Sequence, residues 1–300
     1  MMSAANLMAG KTCLVTGANA GIGKATSFEL ARMGATVVMV CRNRQRGEEA
    51  LHFIRRETKN DSVHLLLADL SSQYSIRNLA MNFKAGYPNL HILINNAGTV
   101  PYERRLTENG FEMQFAVHFL APFLLTNLLL DLLIASAPAR VVNVSAAYHE
   151  KSAPLNFEDL QMKHEPYDSR KVYARTKLAV IMFTYELARR LEGTCITANS
   201  IHPGLIETQL MNDFIIGLNP LPEERIALIK SMAVSPERAA QAIIYLATSP
   251  GLEGVSGKYF DRQKAVPSSE PSYDKDAASR LWKAGEKMTA LRAGPLFISL

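Results

Sequence analysis

The chain has 300 residues, 48% hydrophobic and 20% charged, which is enough apolar material for a sizeable core and too much for a disordered chain. Lysine and arginine number 33 against 28 aspartates and glutamates, and these basic residues are spread along the chain, so no nucleic-acid or membrane-binding patch is expected. Cys13, Cys41 and Cys195 are odd in number and far apart, which argues against a disulfide framework or a cysteine metal site and points to a reducing, cytoplasmic setting.

Residues Met1 to Gly10 read as an amino-terminal tail without the charged start and apolar core of a secretion signal. The most lipid-like stretch, Phe119 to Ala135, is shorter than the roughly 20 residues of a membrane span and carries Pro122, Asn127 and Asp131. A soluble protein with no membrane anchor is expected.

Short apolar runs at Cys13–Val15, Val37–Val40, Leu65–Leu67, Ile92–Ile94 and Val141–Val144 are each followed by a turn and a longer amphipathic segment. Continuous apolar strands are what a parallel sheet covered on both faces demands, and alternation with helices predicts right-handed crossovers. The first helix carries Ile22, Ala25, Thr26, Leu30 and Met33 on one face before Gly34 stops it. Val266 to Tyr273 reads as an exposed loop, and Lys275 to Leu291 as a last helix. No linker offers a second domain a place to start. The reading is an α/β fold: one doubly wound, Rossmann-type parallel sheet with helices on both faces, formed by residues 11–300.

The first chemistry lies in the turn after the first strand. Gly17, Asn19, Ala20, Gly21, Ile22 and Gly23 run straight into the helix, and glycines at these offsets allow a sharp turn and close approach of a pyrophosphate to free N–H groups. At the end of the second strand, where a site for NAD places a carboxylate against the ribose hydroxyls, stand Cys41, Arg42, Asn43, Arg44, Gln45 and Arg46. Guanidinium groups in that place suit a 2′-phosphate, so NADP(H) is the expected cofactor. Asp69 and Leu70 follow the third strand, where a carboxylate can accept from the adenine amino group. Asn96, Ala97 and Gly98 follow the fourth, where small residues let a cofactor lie close.

Further on, Tyr173 and Lys177 stand one helical turn apart on the same face. A positive charge beside a tyrosine favours the phenolate, lowering its pKa towards a range where it exchanges a proton with a substrate oxygen. His202-Pro203-Gly204 ends a later strand. His202 reads as a packing residue, while Ile206 and Thr208 follow on the loop, Thr208 being placed to bond a nicotinamide carboxamide.

With TGANAGIG at 16–23, NNAG at 95–98, YARTK at 173–177 and PGLIET at 203–208, the sequence resembles the short-chain dehydrogenases/reductases over about Lys11 to Leu291. CRNRQRG at 41–47, FLLTNLLL at 123–130, the long insert before Tyr173 and SGKYFD at 256–261 make it look most like the retinol dehydrogenase-like branch, whose membrane-bound members have an amino-terminal anchor not seen here. The resemblance implies hydride transfer between a nicotinamide and a carbonyl or alcohol carbon. Tyr173 would move the proton and Lys177 would hold the ribose and tune the tyrosine. A homodimer or homotetramer is the family's usual state.

Two departures stand out. The family serine that bonds the substrate oxygen is the second of a Ser-Ser pair, and here the pair reads Ser145-Ala146. Ser145 is one residue early, and strand alternation turns its side chain to the opposite face. The family asparagine in the helix after NNAG is replaced by His118. Either the carbonyl chemistry is weakened, or His118 enters a proton relay with Tyr148 or His149 replacing the missing hydroxyl donor; His118 as a space-filling histidine remains the other alternative.

Leu205, Ile206, Leu210, Met211, Phe214, Ile215, Ile216 and Leu218 are too apolar for a free loop and fit a lid over a lipophilic ligand, a dimer interface or part of the core. Thr99 to Arg105 and the Ala147–Lys171 insert are expected as the other walls. The sequence therefore reads as an NADP(H)-dependent oxidoreductase of a lipophilic small-molecule alcohol or carbonyl, with no metal. The alternative keeps the cofactor site for proton transfer, elimination or cyclisation, or for nucleotide-responsive binding without turnover.

Overall fold

The computed structural model describes residues 7–216 and 222–291. Strands and helices alternate from the start: β1 (Thr12–Thr16), α1 (Gly21–Arg32), β2 (Thr36–Cys41), α2 (Arg44–Thr58), β3 (Val63–Leu67), α3 (Gln73–Gly86) and β4 (Ile92–Asn95). A short α4 (Met113–Phe115) passes through a π-helical turn, Ala116–Leu120, into α5 (Ala121–Leu128) and α6 (Leu130–Ala135). Alternation resumes with β5 (Ala139–Val144), the long α7 (Ser169–Arg190) and β6 (Ile196–His202). After α8 (Gln209–Ile216), α9 (Glu223–Ser231) and α10 (Pro236–Thr248) come β7 (Tyr259–Asp261), β8 (Lys264–Val266) and α11 (Lys275–Thr289).

The strands form one 8-stranded sheet in the order β3-β2-β1-β4-β5-β6-β7-β8. All neighbours are parallel except the last pair, β7 and β8, an antiparallel hairpin that the purely parallel reading missed. The order reverses between β1 and β4, and a crevice opens at the strand ends beside such a reversal.

Successive residues on a strand face opposite layers, and β5 shows the division: Val141 joins the cluster under α3, α5, α7 and α11, while Val142 joins the one under α1 and α10. Phe119 to Ala135 lies mostly buried within the first cluster, and among the described residues no helix is long and apolar enough to cross a membrane. Two expectations about the margins need correction. Met8 belongs to the core instead of a tail, being buried with its N–H bonded to the Met33 carbonyl at 2.8 Å. Leu7, Ala9 and Gly10 are exposed, and residues 1–6 lie outside the described residues.

The segment 266–273, read as a loose loop because of its serines and prolines, is tied down by those same serines. Ser268 Oγ meets Tyr185 Oη at 2.7 Å and Ser272 Oγ at 2.6 Å, and Ser272 is buried. This ordering brings α11 onto α7. Trp282 packs edge-on against Phe123 at 4.9 Å and stacks on Phe183 at 5.9 Å, with the Arg190 guanidinium 4.3 Å above its ring. Gly285 leaves room for Phe123, whose ring atoms lie 3.0 Å from where a Cβ would stand. Because truncating a buried tryptophan costs about 3–5 kcal/mol, Trp282→Ala should lower the unfolding free energy by that amount, measured by urea titration; a loss below about 1 kcal/mol would show α11 to be an appendage.

Candidate active site

Thr16, at the end of β1, ties the crevice together. Its Oγ1 accepts from the N–H groups of Asn96 at 2.9 Å and Ala97 at 3.1 Å, while Asn96 Nδ2 donates to the Thr16 carbonyl at 2.8 Å. The glycine turn is thereby pressed on the loop after β4. A Cβ on Gly17 would lie 2.9 Å from Ala97 Cα, and one on Gly23 would lie 2.2 Å from the Gly17 carbonyl oxygen. Gly17 and Gly21 also take the left-handed φ values of 66° and 51° that favour glycine.

The helix that follows is left open at its start. α2, α3, α7, α10 and α11 begin with Asn43, Ser72, Asp168, Ser235 and Asp274, whose side chains accept from first-turn N–H groups. α1 begins at Ala20 with no side-chain cap and no acidic residue in its first turn, so its free N–H groups face the crevice. This suits an anion whose oxygens replace the missing cap.

The crevice is a cavity of about 940 Å³. Along it lie Gly17, Asn19, Ala20, Gly21, Ile22, Gly23, Arg42, Asn43, Arg46, Asp69, Leu70, Asn96, Ala97, Gly98, Tyr173, Lys177, Pro203, Gly204, Ile206 and Thr208, all singled out in the sequence. Thr208 abuts the glycine turn, its Cγ2 being 3.1 Å from where a Gly21 Cβ would stand. The arginines divide. Arg42 and Arg46 line the cavity, Arg42 lying 3.7 Å from Asp69, whereas Arg44 pairs with Glu48 at 3.3 Å and does not line it. Asp69 Oδ1 accepts from the Ser71 N–H and hydroxyl at 2.9 and 2.7 Å, which fixes the carboxylate in place. Asn43 caps α2 through the Arg46 N–H at 2.9 Å, and so positions Arg46.

At the other end stand Tyr173 and Lys177 on α7. Ser145 Oγ donates to the Lys177 carbonyl at 2.9 Å, and Lys177 Nζ donates to the Val144 carbonyl at 3.0 Å, a reciprocal stitch between β5 and α7. Strand alternation sends the Ser145 hydroxyl into the α7 layer, leaving Ala146 beside Tyr173 in an apolar cluster with Val100, Tyr148, Leu210 and Phe214. The expected lowering of the tyrosine pKa is reversed here. Burial raises the Tyr173 phenol above its ordinary value and pulls the Lys177 ammonium down to about 8. The ammonium lies 5.4 Å from the centre of the phenol ring.

His118 is buried and does not line the cavity, and both of its ring nitrogens bond protein groups. His149 is likewise occupied, bonded to the Ala146 carbonyl at 2.9 Å and accepting from the Ser269 N–H at 3.0 Å. Of the two candidate replacements for the serine only Tyr148 reaches the cavity. His202, read as packing, lines the wall, and burial lowers its pKa to about 4.

The expected walls shrink on both sides. Only Thr99 and Val100 of 99–105, and Ala147 and Tyr148 of 147–171, face the cavity; Leu155 and Leu160 turn into the core instead. Met113 and Val117 form wall that no sequence signal marked. Of the lid candidates, Leu205, Ile206, Leu210, Met211 and Phe214 line the cavity and Ile215 is buried behind them. Leu218 and the Ile216 side chain lie outside the described residues.

Lys177 supplies a pH test. Its folded-state value near 8 lies below the 10.5 of the free side chain, so its charge opposes folding fully below pH 8, and the cost fades as pH rises from 8 to 10.5. Lys177→Met should therefore gain stability over the parent at pH 7, by on the order of 3 kcal/mol less the lost bond to Val144, and the gap should narrow by pH 10. Urea titrations at the two pH values check it; a gap that widens with pH overturns the assignment.

Comparison with known proteins agrees with this geometry. The family described as short chain dehydrogenase matches residues 11–157 and 161–216. Human retinol dehydrogenase 13 is 42% identical over 285 residues, covering 95% of this chain and 86% of that protein. Human retinol dehydrogenase 14 is 44% identical, covering 95% and 88%. Among solved structures, an uncharacterised protein from Mycobacterium paratuberculosis superposes with a TM-score of 0.75 at 31% identity, over 94% of each chain. With the matched region spanning the glycine turn, Tyr173, Lys177 and the Pro-Gly loop, the chain belongs to the short-chain dehydrogenase/reductase family, and retinol dehydrogenases are among its relatives.

Proposed function

We propose that the protein is an NADP(H)-dependent oxidoreductase that interconverts a lipophilic alcohol and its carbonyl compound, with retinol and retinal as the pair its relatives' names suggest. The observation that carries this reading is the joining of two half-sites in one cavity: an uncapped helix start behind the glycine turn at one end, and Tyr173 with Lys177 at the other. The residues fit a dinucleotide. The glycine cradle excludes any Cβ, the α1 N–H groups would face the pyrophosphate, and Arg42 and Arg46 line the cavity where they would meet a 2′-phosphate, with no carboxylate of β2 there.

The nicotinamide supplies or accepts the hydride when bound. Tyr173 holds the proton that passes to the substrate oxygen during reduction and returns during oxidation. Its burial keeps the phenol protonated, which suits the donor role. Lys177, one turn away, places a positive charge where a phenolate forms. Phe214, edge-on to Tyr173 at 5.4 Å and to Tyr148 at 5.0 Å, keeps the substrate end apolar and dry, which strengthens both effects.

Ala146 favours a second reading, retention of the nucleotide site with little redox turnover. Where the family serine would donate to the substrate oxygen this chain offers a methyl group, and losing one such donor costs about 100- to 1,000-fold in turnover. The two readings separate on mixing with NADPH and retinal while following the absorbance of the reduced nicotinamide. Oxidation that falls at least about 100-fold in Tyr173→Phe, with NADPH affinity within a few-fold, supports the first, and Ala146→Ser should raise it about tenfold. Cofactor binding with no oxidation of NADPH by either the parent or Ala146→Ser supports the second.

For the cofactor, NADPH should bind at least about tenfold more tightly than NADH, about 1.4 kcal/mol, and the double variant Arg42→Ala/Arg46→Ala should erase the difference. Fluorescence titration measures both. Equal affinities in the parent would refute the assignment to NADP(H).

A further inference from the structure

We infer that His118 is a positioning residue that sets Tyr173 against the cofactor-side wall of the cavity by bridging the loop after β4 to helix α7. The inference rests on the redox reading above, since the group it positions is the tyrosine that moves the proton.

The bridge is a chain of three hydrogen bonds with one direction. The Thr99 N–H donates to His118 Nε2 at 3.0 Å, so that nitrogen carries no proton. A neutral imidazole must then carry its proton on Nδ1, which lies 2.9 Å from Thr176 Oγ1 and donates to it. The Thr176 hydroxyl passes its own proton to the Tyr173 carbonyl, also at 2.9 Å. Every donor and acceptor in the chain is used once. Reversing any link would oppose two donors or two acceptors.

The surroundings hold this arrangement in a single state. His118 is 2% exposed, and burial together with the neighbouring Lys177 charge keeps its pKa well below the usual histidine range, so the ring stays neutral and keeps its tautomer. The ring stands edge-on to Tyr173, centroids 5.6 Å apart at 86°, and its Nε2 lies 3.4 Å from where a Gly98 Cβ would be. The same imidazole thus touches the wall on which the cofactor is expected to lie and the ring of the proton donor. It sits in the π-helical turn Ala116–Leu120, a local widening of the helix that often marks a functional position. Because a misplacement of about 1 Å costs on the order of 100-fold in rate, a rigid strut between these two surfaces has a direct effect on turnover.

The shape of the ring makes the strut testable from each end. An asparagine amide reaches about as far as Nδ1 and can meet Thr176 but not Thr99; a glutamine amide reaches about as far as Nε2 and can meet Thr99 but not Thr176. Thr176→Val cuts the same link as the glutamine variant from the other side. We expect His118→Asn, His118→Gln and Thr176→Val each to lower kcat for retinal reduction by about tenfold, with KM for retinal and NADPH affinity changed less than about threefold. In protein carrying 13Cζ-labelled tyrosine, the Tyr173 resonance, assigned with Tyr173→Phe, should move in all three. An unmoved Tyr173 resonance overturns the inference whatever happens to kcat, and so does an unchanged kcat in a protein that turns over. If the parent reduces no retinal, the redox reading fails separately, and the Tyr173 resonance alone decides: movement in the three variants supports the strut and its absence refutes it.

Discussion

The structure depends most on the contact between the end of β1 and the loop after β4. There the sheet order reverses, and a single hydroxyl, that of Thr16, accepts from two backbone N–H groups while Asn96 returns a bond to the Thr16 carbonyl. Each such bond contributes about 0.5–1.5 kcal/mol net. The contact also explains the glycines. With Asn96 and Ala97 held this close, Gly17 and Gly23 have no room for a side chain, so the turn presents bare backbone to the cavity. The uncapped start of α1 at Ala20 lies directly behind this turn.

From that fixed point the two ends of the site are positioned by different means. The nucleotide end is set close to the backbone: strand register, a tight turn, and the Asn43 cap on the Arg46 N–H at the start of α2. The tyrosine end is set by side chains reaching across layers. Ser145 and Lys177 stitch β5 to α7, and His118 joins the other flank of the same helix to Thr99. α7 is held on its far face by α11 through Trp282. A helix fastened on these sides carries its phenol with little freedom, which is what proton transfer at a defined distance requires.

This difference accounts for what was legible in the sequence. Backbone geometry leaves its mark in glycines, caps and apolar runs, so the parallel strands, the first helix and the residues along the nucleotide half were readable. Side chains that cross layers leave no local mark. Nothing near His118 shows that Thr99 and Thr176 take both its nitrogens, and nothing near Met113 or Val117 shows that they reach the wall. The segment 266–273 misled for a related reason. Serine and proline signal loops by composition, yet Ser268 and Ser272 are ordered by hydroxyls of Tyr185 and of each other, partners far away in the chain or hidden by the turn itself. The tyrosine pKa misled because one turn of helix predicts a Coulomb attraction, while burial of both groups acts against charge on either.

The substitution at 146 takes its meaning from its neighbour. Ser145 and Ala146 both line the cavity, but the Ser145 hydroxyl is turned to the α7 backbone. Ser145 is committed to the α7 backbone at Lys177, and freeing it would leave the Lys177 carbonyl without its side-chain partner. The hydroxyl missing at 146 is therefore not recovered from 145 by any small shift. Tyr148 also lines that wall, and it is held edge-on by Phe214 from α8. On the proposed redox reading, charge on a substrate oxygen would be met chiefly by Tyr173 and the Lys177 ammonium behind it, and the rigidity of α7 would carry more of the chemistry than in a site with a serine donor.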